Sequence, residues 1–289
     1  MKTKAQELCS YVDMHVHSYY SDGTMSPEAI LKRAAQNGVR YLAIADHNTL
    51  KGTAELLKIA DDYGICACSG VELDTLENGK DVHILGYGMS LENRDFHHFV
   101  NENRAHLDAI SDRLIEKMVR QHHQTAVSTT GYRDFCYDRS RGGWKALHYF
   151  MAVGLTSSLY EGMRLYETYN CGYDQAPFSD IQSVCEKIHA AGGIAVLAHP
   201  GVTVSEAEVP AFLEYVSTRG IDGIECHYPK HSEALTKACV TFCRSEGLYI
   251  TTGSDCHGTF GNTDIGEMQI AFDALDLQHF FKDCHKRAV

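Results

Sequence analysis

Short apolar runs and amphipathic stretches alternate along the first ninety residues. "YVDMH" reads as a strand, and "SPEAILKRAAQNG" as a helix with Ser26 at the N-cap, Pro27 at the first helical position and Gly38 closing it. "VRYLAIA" is continuously apolar between polar flanks, as a strand buried on both faces should be. "TAELLKIADDYG" reads as the next helix, and "ICACSGVEL" and "DVHILGYG" as further strands. Strands alternating with helices predict a mostly parallel sheet.

The pattern changes at Leu91. "NRDFHHFVNENRAHLDAISDRLIEKMVRQHH" has helical periodicity throughout, "GGWKALHYFMAVG" and "LYEGMRLYETYNCG" read as shorter helices, and no convincing strand precedes "GGIAVLAHP". Residues 91–177 are therefore expected to be a helical insertion in a unit made of residues 1–90 and 178–289. After it the alternation returns: helix "DIQSVCEKIHAAGG", strand "IAVLAHP", helix around "VPAFLEYVSTRG", strand "IDGIECH", helix "SEALTKACVTFCRSEG" and strand "LYITTGSDCH".

A chain of 289 residues can bury a full core, as one α/β barrel with an insertion or as two smaller domains. A net charge of -12 argues against a large basic face for duplex nucleic acid. The 11 cysteines, an odd number with no paired framework, read as reduced thiols. Cys66 with Cys68, and Cys239 with Cys243, lack zinc-finger spacing and read as core thiols. The N-terminal stretch has no apolar h-region and no later segment has the length to span a bilayer, so a cytoplasmic location and no membrane partner are expected.

Chemically capable residues fall at one end of these strands. His15 and His17 end the first, His47 follows "YLAIAD", Glu72 ends "ICACSGV", His83 lies in "DVHILGYG", His199 follows "IAVLA", and Asp255 and His257 follow "LYITTGS". The carboxyl ends of parallel barrel strands form one face, where active sites are built. Imidazole nitrogen and carboxylate oxygen are ligands for zinc, iron or manganese, and a carboxylate can bridge two ions. Strand alternation places His15 beside His17, and Asp255 beside His257, on one side. His97, His98, His122, His123, His279 and His285 read as surface residues, and His227 as a pocket or packing residue. No Ser-His-Asp arrangement or Gly-rich phosphate loop stands out.

With these residues assembled, the chain resembles the PHP (polymerase and histidinol phosphatase) superfamily, especially its stand-alone phosphoesterase branch. The motifs are "DMHVHSYYSDG" with "SPEAIL", "LAIADHNTLKG", "GVELDT", "DVHILGYG", "LAHPG" and "GSDCHG". The resemblance implies a distorted (β/α)7 barrel holding two or three divalent ions of manganese, iron or zinc. It implies one ion on His15, His17, Glu72 and Asp255, a second on Glu72, His83 and His199, and a third on Asp22, His47 and His257. The branch is similar to phosphatases of nucleoside 3′,5′-bisphosphates and to 5′-to-3′ exoribonucleases. Where members often carry "RPH", this chain has "RGGWKALHYF", so Lys145 or Arg141 is the expected cation for a second phosphate; "YPKHS" adds Lys230 and His231.

The expected activity is hydrolysis of a phosphomonoester, the 3′-phosphate of a nucleoside 3′,5′-bisphosphate, by a hydroxide held on the metals. The expected partner is a small phosphorylated substrate. Alternatives are a histidinol-phosphate phosphatase, a 5′-to-3′ exoribonuclease and a noncatalytic metal-stabilised accessory module.

Overall fold

A computed structural model describes residues 10–121, 126–277 and 281. Its element order is β1 (Tyr11–Val16), α1 (Pro27–Gln36), β2 (Val39–Ile44), α2 (Lys51–Ile59), β3 (Cys66–Ala67), β4 (Gly70–Glu77), β5 (Lys80–Tyr87) and α3 (Arg94–Arg120). There follow α4 (Thr129–Asp134), α5 (Lys145–Ala152), α6 (Leu159–Thr168), α7 (Ile181–Ala190), β6 (Ile194–Leu197) and α8 (Pro200–Thr203). The last elements are α9 (Val209–Ser217), β7 (Gly223–His227), α10 (Glu233–Glu246) and β8 (Tyr249–Thr252). Between β5 and β6 the described residues form helices and turns only.

Local sequence explains several of these boundaries. Ser26 Oγ accepts the Ala29 N–H at 3.1 Å with Pro27 next in line, and Asp180 caps α7 through the Ser183 N–H at 2.8 Å. The expected strand "ICACSGVEL" divides instead: β3 ends at Ala67 and β4 begins at Gly70. Gly70 lies so close to β2 that a Cβ there would stand 2.6 Å from the Ile44 carbonyl oxygen.

The strands form a three-stranded sheet, β1-β2-β3, and a five-stranded sheet, β4-β5-β6-β7-β8. Pairing is parallel except that β5 runs against both β4 and β6. Asn78 and Gly79, both with positive φ (52° and 76°), make the tight turn that reverses β5. The regular strand–helix alternation of a (β/α)7 barrel is broken there. The β-pairing next to the sheet seams is limited to isolated bridges, Val16 to Cys256 and His47 to Glu72, so among the described residues no continuous ladder closes a barrel. What stands is a mixed α/β fold.

The largest core cluster packs β4–β8 against α7, α9 and α10, with Leu73, Ile84, Leu197 and Ile224 fully buried. A second packs α1 and α2 on β1 and β2 through Ile30, Leu31, Leu42 and Leu56. The helical segment has its own cluster around Leu114, Met118, Tyr149 and Phe150. Cys68, Cys239 and Cys243 are buried and Cys66 is partly so, as core thiols would be. No helix among the described residues is long and apolar enough to cross a membrane.

Candidate metal centre

The pleat of β1 turns Val12, Met14 and Val16 to apolar clusters, and Asp13 and His15 the other way, with His17 just beyond the strand continuing that parity. Asp13 is structural: its carboxylate accepts N–H groups from His15, Ser254 and Gly266 at 3.3, 3.0 and 2.7 Å. Burial pushes its pKa up to about 6 despite those bonds. Asp46, buried after β2, accepts the Ser18 N–H, the Ser18 hydroxyl and the Ser21 hydroxyl, each at 2.7 Å. That clamp folds "HSYYSD" back and presents Asp22.

Around Glu72, five imidazoles converge. Oε2 stands 3.2 Å from His15 Nε2, 3.2 Å from His17 Nε2 and 3.4 Å from His47 Nε2. Oε1 stands 2.8 Å from His83 Nδ1 and 3.0 Å from His199 Nε2. Asp255 Oδ1 lies 3.1 Å from His17 Nε2 and 3.6 Å from His15 Nε2. Asp22 lies 3.6 Å from His17 Nδ1 and 3.4 Å from His257 Nε2, and the rings of His17 and His257 stack at 4.0 Å. All nine expected ligand residues thus meet at one place.

His83 reaches it from the middle of β5, because the reversed strand brings its N-terminal half to the same end. Asp255 and His257 arrive differently from expectation. β8 ends at Thr252, so strand alternation does not apply to them; a turn with Asp255 in the left-handed region (φ 51°) carries both inward. His199 also holds positive φ (23°) at the entry to α8.

Electrostatics show how charged this pocket is. Burial disfavours the Glu72 carboxylate, but His47, His15 and His83 outweigh it and hold its pKa well below the usual carboxylate range. Burial likewise opposes charge on His15, yet Glu225, Glu72 and Asp255 push its pKa well above the ordinary imidazole value. For His47, Glu72, Asp74 and Asp22 override burial and raise it to about 9. Rings and carboxylates thus favour each other's charged forms, and divalent cations would take the place of protons on the rings.

The donor set suits such ions. His15 Nε2 and His17 Nε2 face each other at 3.1 Å, and Asp22 Oδ1 and His199 Nδ1 are buried without a hydrogen-bond partner. Ligand atoms from His17, Asp22, His47 and His257, from His15, Glu72 and His199, from His15, His17 and Asp255, and from His47, Glu72 and His83 each lie within 4.8 Å of one another. These distances suit nitrogen and oxygen ligands of divalent ions, with His15, His17, His47 and Glu72 each shared between two groups.

Two residues that sequence reasoning passed over shape the set. Glu225, fully buried in β7, takes His15 Nδ1 at 3.0 Å with Oε1 and the His199 N–H at 3.0 Å with Oε2. Gly253 permits this: a Cβ there would stand 2.1 Å from His15 Cβ and 2.4 Å from Glu225 Oε1. Tyr228 donates its hydroxyl to Asp255 Oδ2 at 2.8 Å. A lone carboxylate inside the apolar run "GIECH" was the available signal for Glu225.

The expected substrate contacts are more scattered. Lys145 donates to the Arg133 carbonyl at 3.0 Å and lies 4.8 Å from the Tyr132 ring. It lines a cavity of about 1050 Å³ with Arg104, Tyr132, Trp144, Tyr166 and Tyr173. Trp144, next in sequence, stands 5.9 Å from the His47 ring, and the Gly143 N–H donates to the Asp22 carbonyl at 2.7 Å. Arg141 and Lys230 are exposed. His231 spends both ring nitrogens on backbone, Nδ1 with the Cys226 carbonyl and Nε2 with the Gly201 N–H. A smaller cavity of about 320 Å³ opens beside His83 and His199, with Lys80 on its wall.

Among the other histidines, His98 is exposed and His97, half-buried, meets the Leu91 carbonyl at 2.7 Å. His227 is half-buried. His122, His123, His279 and His285 lie outside the described residues.

Comparison with known proteins bears on this geometry. A family model described as PHP domain matches residues 13–192. A phosphoribosyl 1,2-cyclic phosphate 1,2-diphosphodiesterase from Eggerthella lenta is 29% identical over 267 residues, covering 86% of this chain and 95% of the relative. A 3′,5′-nucleoside bisphosphate phosphatase from Chromobacterium violaceum is 25% identical over 271 residues, covering 89% and 91%. A solved amidohydrolase structure from Chromobacterium violaceum, with bound sulfate and no metal, superposes with a TM-score of 0.75 at 22% identity over 95% of this chain and 97% of that one, a likeness of fold.

Proposed function

This chain belongs to the PHP domain family, and on that premise we propose that it is a metal-dependent phosphoesterase acting on the 3′-phosphate of a nucleoside 3′,5′-bisphosphate. The observation that carries the reading is Glu72, buried, with five imidazoles at its two oxygens. His15, His17, Glu72 and Asp255 would hold one ion, Glu72, His83 and His199 a second, and Asp22, His47 and His257 a third. Bound divalent ions neutralise phosphoryl oxygens and lower the pKa of water so that a nucleophile is available near neutral pH.

The chain's own residues prepare that site. Glu225 takes the Nδ1 proton of His15, which with an ion bound would leave the Nε2 lone pair, beside Glu72 and Asp255, to that ion. His257 Nδ1 donates to the Asp255 carbonyl at 2.8 Å, which would leave Nε2, 3.4 Å from Asp22, as the nitrogen available to an ion. Tyr228, by holding Asp255 Oδ2, aims Oδ1 at the histidines. Residues 91–177 are assigned as a helical insertion over this floor. The cavity beside Trp144 offers room for the nucleoside part, with Lys145 on its wall and Arg141 and Lys230 as outer cations.

The 29% identity to a cyclic phosphodiesterase of a phosphoribosyl compound favours a second reading, in which a ribose cyclic phosphate is opened at the same centre. Identifying the products formed by manganese-reconstituted protein separates the readings: inorganic phosphate from the monoesters, a ring-opened phosphomonoester from the cyclic phosphate, and mononucleotides from the oligoribonucleotide. Adenosine 3′,5′-bisphosphate, a ribose 1,2-cyclic phosphate, histidinol phosphate and a 5′-phosphorylated oligoribonucleotide would be compared by kcat/KM. Preference for the bisphosphate is expected; a preference for any of the others would replace it.

A further inference from the structure

Asp74 lies two residues past Glu72 on β4, so the pleat turns both side chains the same way. Its carboxylate is fully buried, and the two oxygens face different neighbours. Oδ2 accepts the Asn48 Nδ2–H at 2.5 Å. Oδ1 has no hydrogen-bond partner, yet it stands 3.3 Å from His47 Nδ1 and 3.4 Å from His83 Nε2. These are the nitrogens turned away from Glu72. One oxygen therefore sits between the far sides of two imidazoles whose near sides face the same carboxylate. A histidine that gives one nitrogen to a metal commonly donates its other N–H to a carboxylate, which fixes the tautomer and the ring. Asp81 Oδ2 approaches His83 Nε2 at 3.4 Å as well, but Asp74 faces both rings.

Asp74 is in turn tied to the helical segment. Asn103, buried on α3, donates Nδ2 to the Asp74 carbonyl at 2.9 Å and to Asn48 Oδ1 at 3.2 Å. Asn48 Oδ1 also accepts the Asp74 N–H at 3.2 Å, and the Asn48 N–H reaches the Glu72 carbonyl at 2.8 Å. Asn48 adopts the left-handed conformation (φ 49°) to make these bonds. Both donors of the Asn103 amide are thus spent on holding one carboxylate-bearing strand and one loop.

We propose that Asp74 is a positioning residue shared by His47 and His83, and that Asn103 links it to α3, so that the seating of the helical segment sets how tightly these histidines hold an ion. This rests on the metal-centre reading above, but not on the choice of substrate. Metal-free wild type, Asp74→Asn, Asn103→Ala and the double variant would be titrated with Mn2+ against a fluorescent chelator, with no substrate present, and the thermal midpoint of each recorded. Asp74→Asn is expected to weaken ion binding by about 10- to 100-fold. Asn103→Ala should weaken it by a smaller factor, and the double variant by less than the product, because both changes act through one group. Ser111→Ala, which removes an α3 hydroxyl bonded to Tyr166 at 2.7 Å, serves as the control and should leave ion binding unchanged.

Wild-type affinity in Asn103→Ala, or losses that multiply in the double variant, would overturn the link. A drop in thermal midpoint without a change in ion affinity would reduce both residues to scaffolding. Should Asp74→Asn fail to fold, Asn103→Ala alone decides. A wild-type chain that binds no ion at all would instead remove the parent reading.

Discussion

The floor at the strand ends and the helical segment between β5 and β6 treat their charged residues in opposite ways. On the floor, His15, His17, Glu72, His199 and Asp22 are buried, and carboxylates such as Glu225 and Asp46 spend both oxygens on named partners. In the helical segment, Arg133, Arg139, Arg141 and Arg164 are exposed, and the one lysine facing the cavity leans on a carbonyl and a ring. Buried groups must be paired and therefore have one geometry; exposed cations keep their rotamer freedom. A floor of that kind suits chemistry that tolerates little misplacement, and exposed cations like those of the helical segment suit recognition of a substrate's remote parts.

The largest effect should come from breaking the floor. His15→Ala or Asp255→Ala is expected to lower phosphate release by about 10³-fold or more, with the thermal midpoint checked alongside. Full activity in either variant would mean that the cluster is not the reacting centre.

Next is the response of the metal-free protein to pH. His47 is raised from 6.5 to about 9 in the folded state, so folding binds its proton more tightly than the unfolded chain does. That stabilisation is complete below pH 6.5 and is lost as pH rises through about 9; for His47 alone it is on the order of 3 kcal/mol. Thermal midpoints of chelated protein should therefore fall across that window, and those of ion-loaded protein should not. Equal slopes in the two samples would show that ions and ring protons do not exchange.

Glu225→Gln sharpens the floor from behind. It keeps the volume but weakens the hold on His15 and should reduce ion affinity by about 10- to 100-fold in chelator competition. Trp144→Leu probes the helical segment and should be mildest: KM for the bisphosphate is expected to rise about tenfold, while turnover of p-nitrophenyl phosphate stays unchanged. A matching loss on both esters would place Trp144 in the floor.

Much of the floor was legible because its residues cluster in short motifs beside strands, and because Ser26–Pro27 mark a helix start by local hydrogen bonding. The turn "ENGK" carried an equally local signal, passed over in expecting a mostly parallel sheet: Asn78-Gly79 favours a hairpin, makes β5 antiparallel and explains why His83 serves from mid-strand. The division of "ICACSGVEL" into two strands was not legible, since it depends on which sheet each half joins. Glu225 pairs with His15 across 210 positions, and no local pattern announces such a pair. The segment between β5 and β6 was legible as helix from its periodicity, but the direction in which Lys145 points depends on packing against Tyr132.

If the convergence on Glu72 is a metal centre that hydrolyses phosphate esters, bound metal and phosphate release from adenosine 3′,5′-bisphosphate must change together when both are followed in one sample before chelation, after it and after manganese is restored. Turnover is expected to disappear with the ions and to return with them, at two or three ions per chain. Undiminished turnover in the fully chelated protein would contradict that assignment.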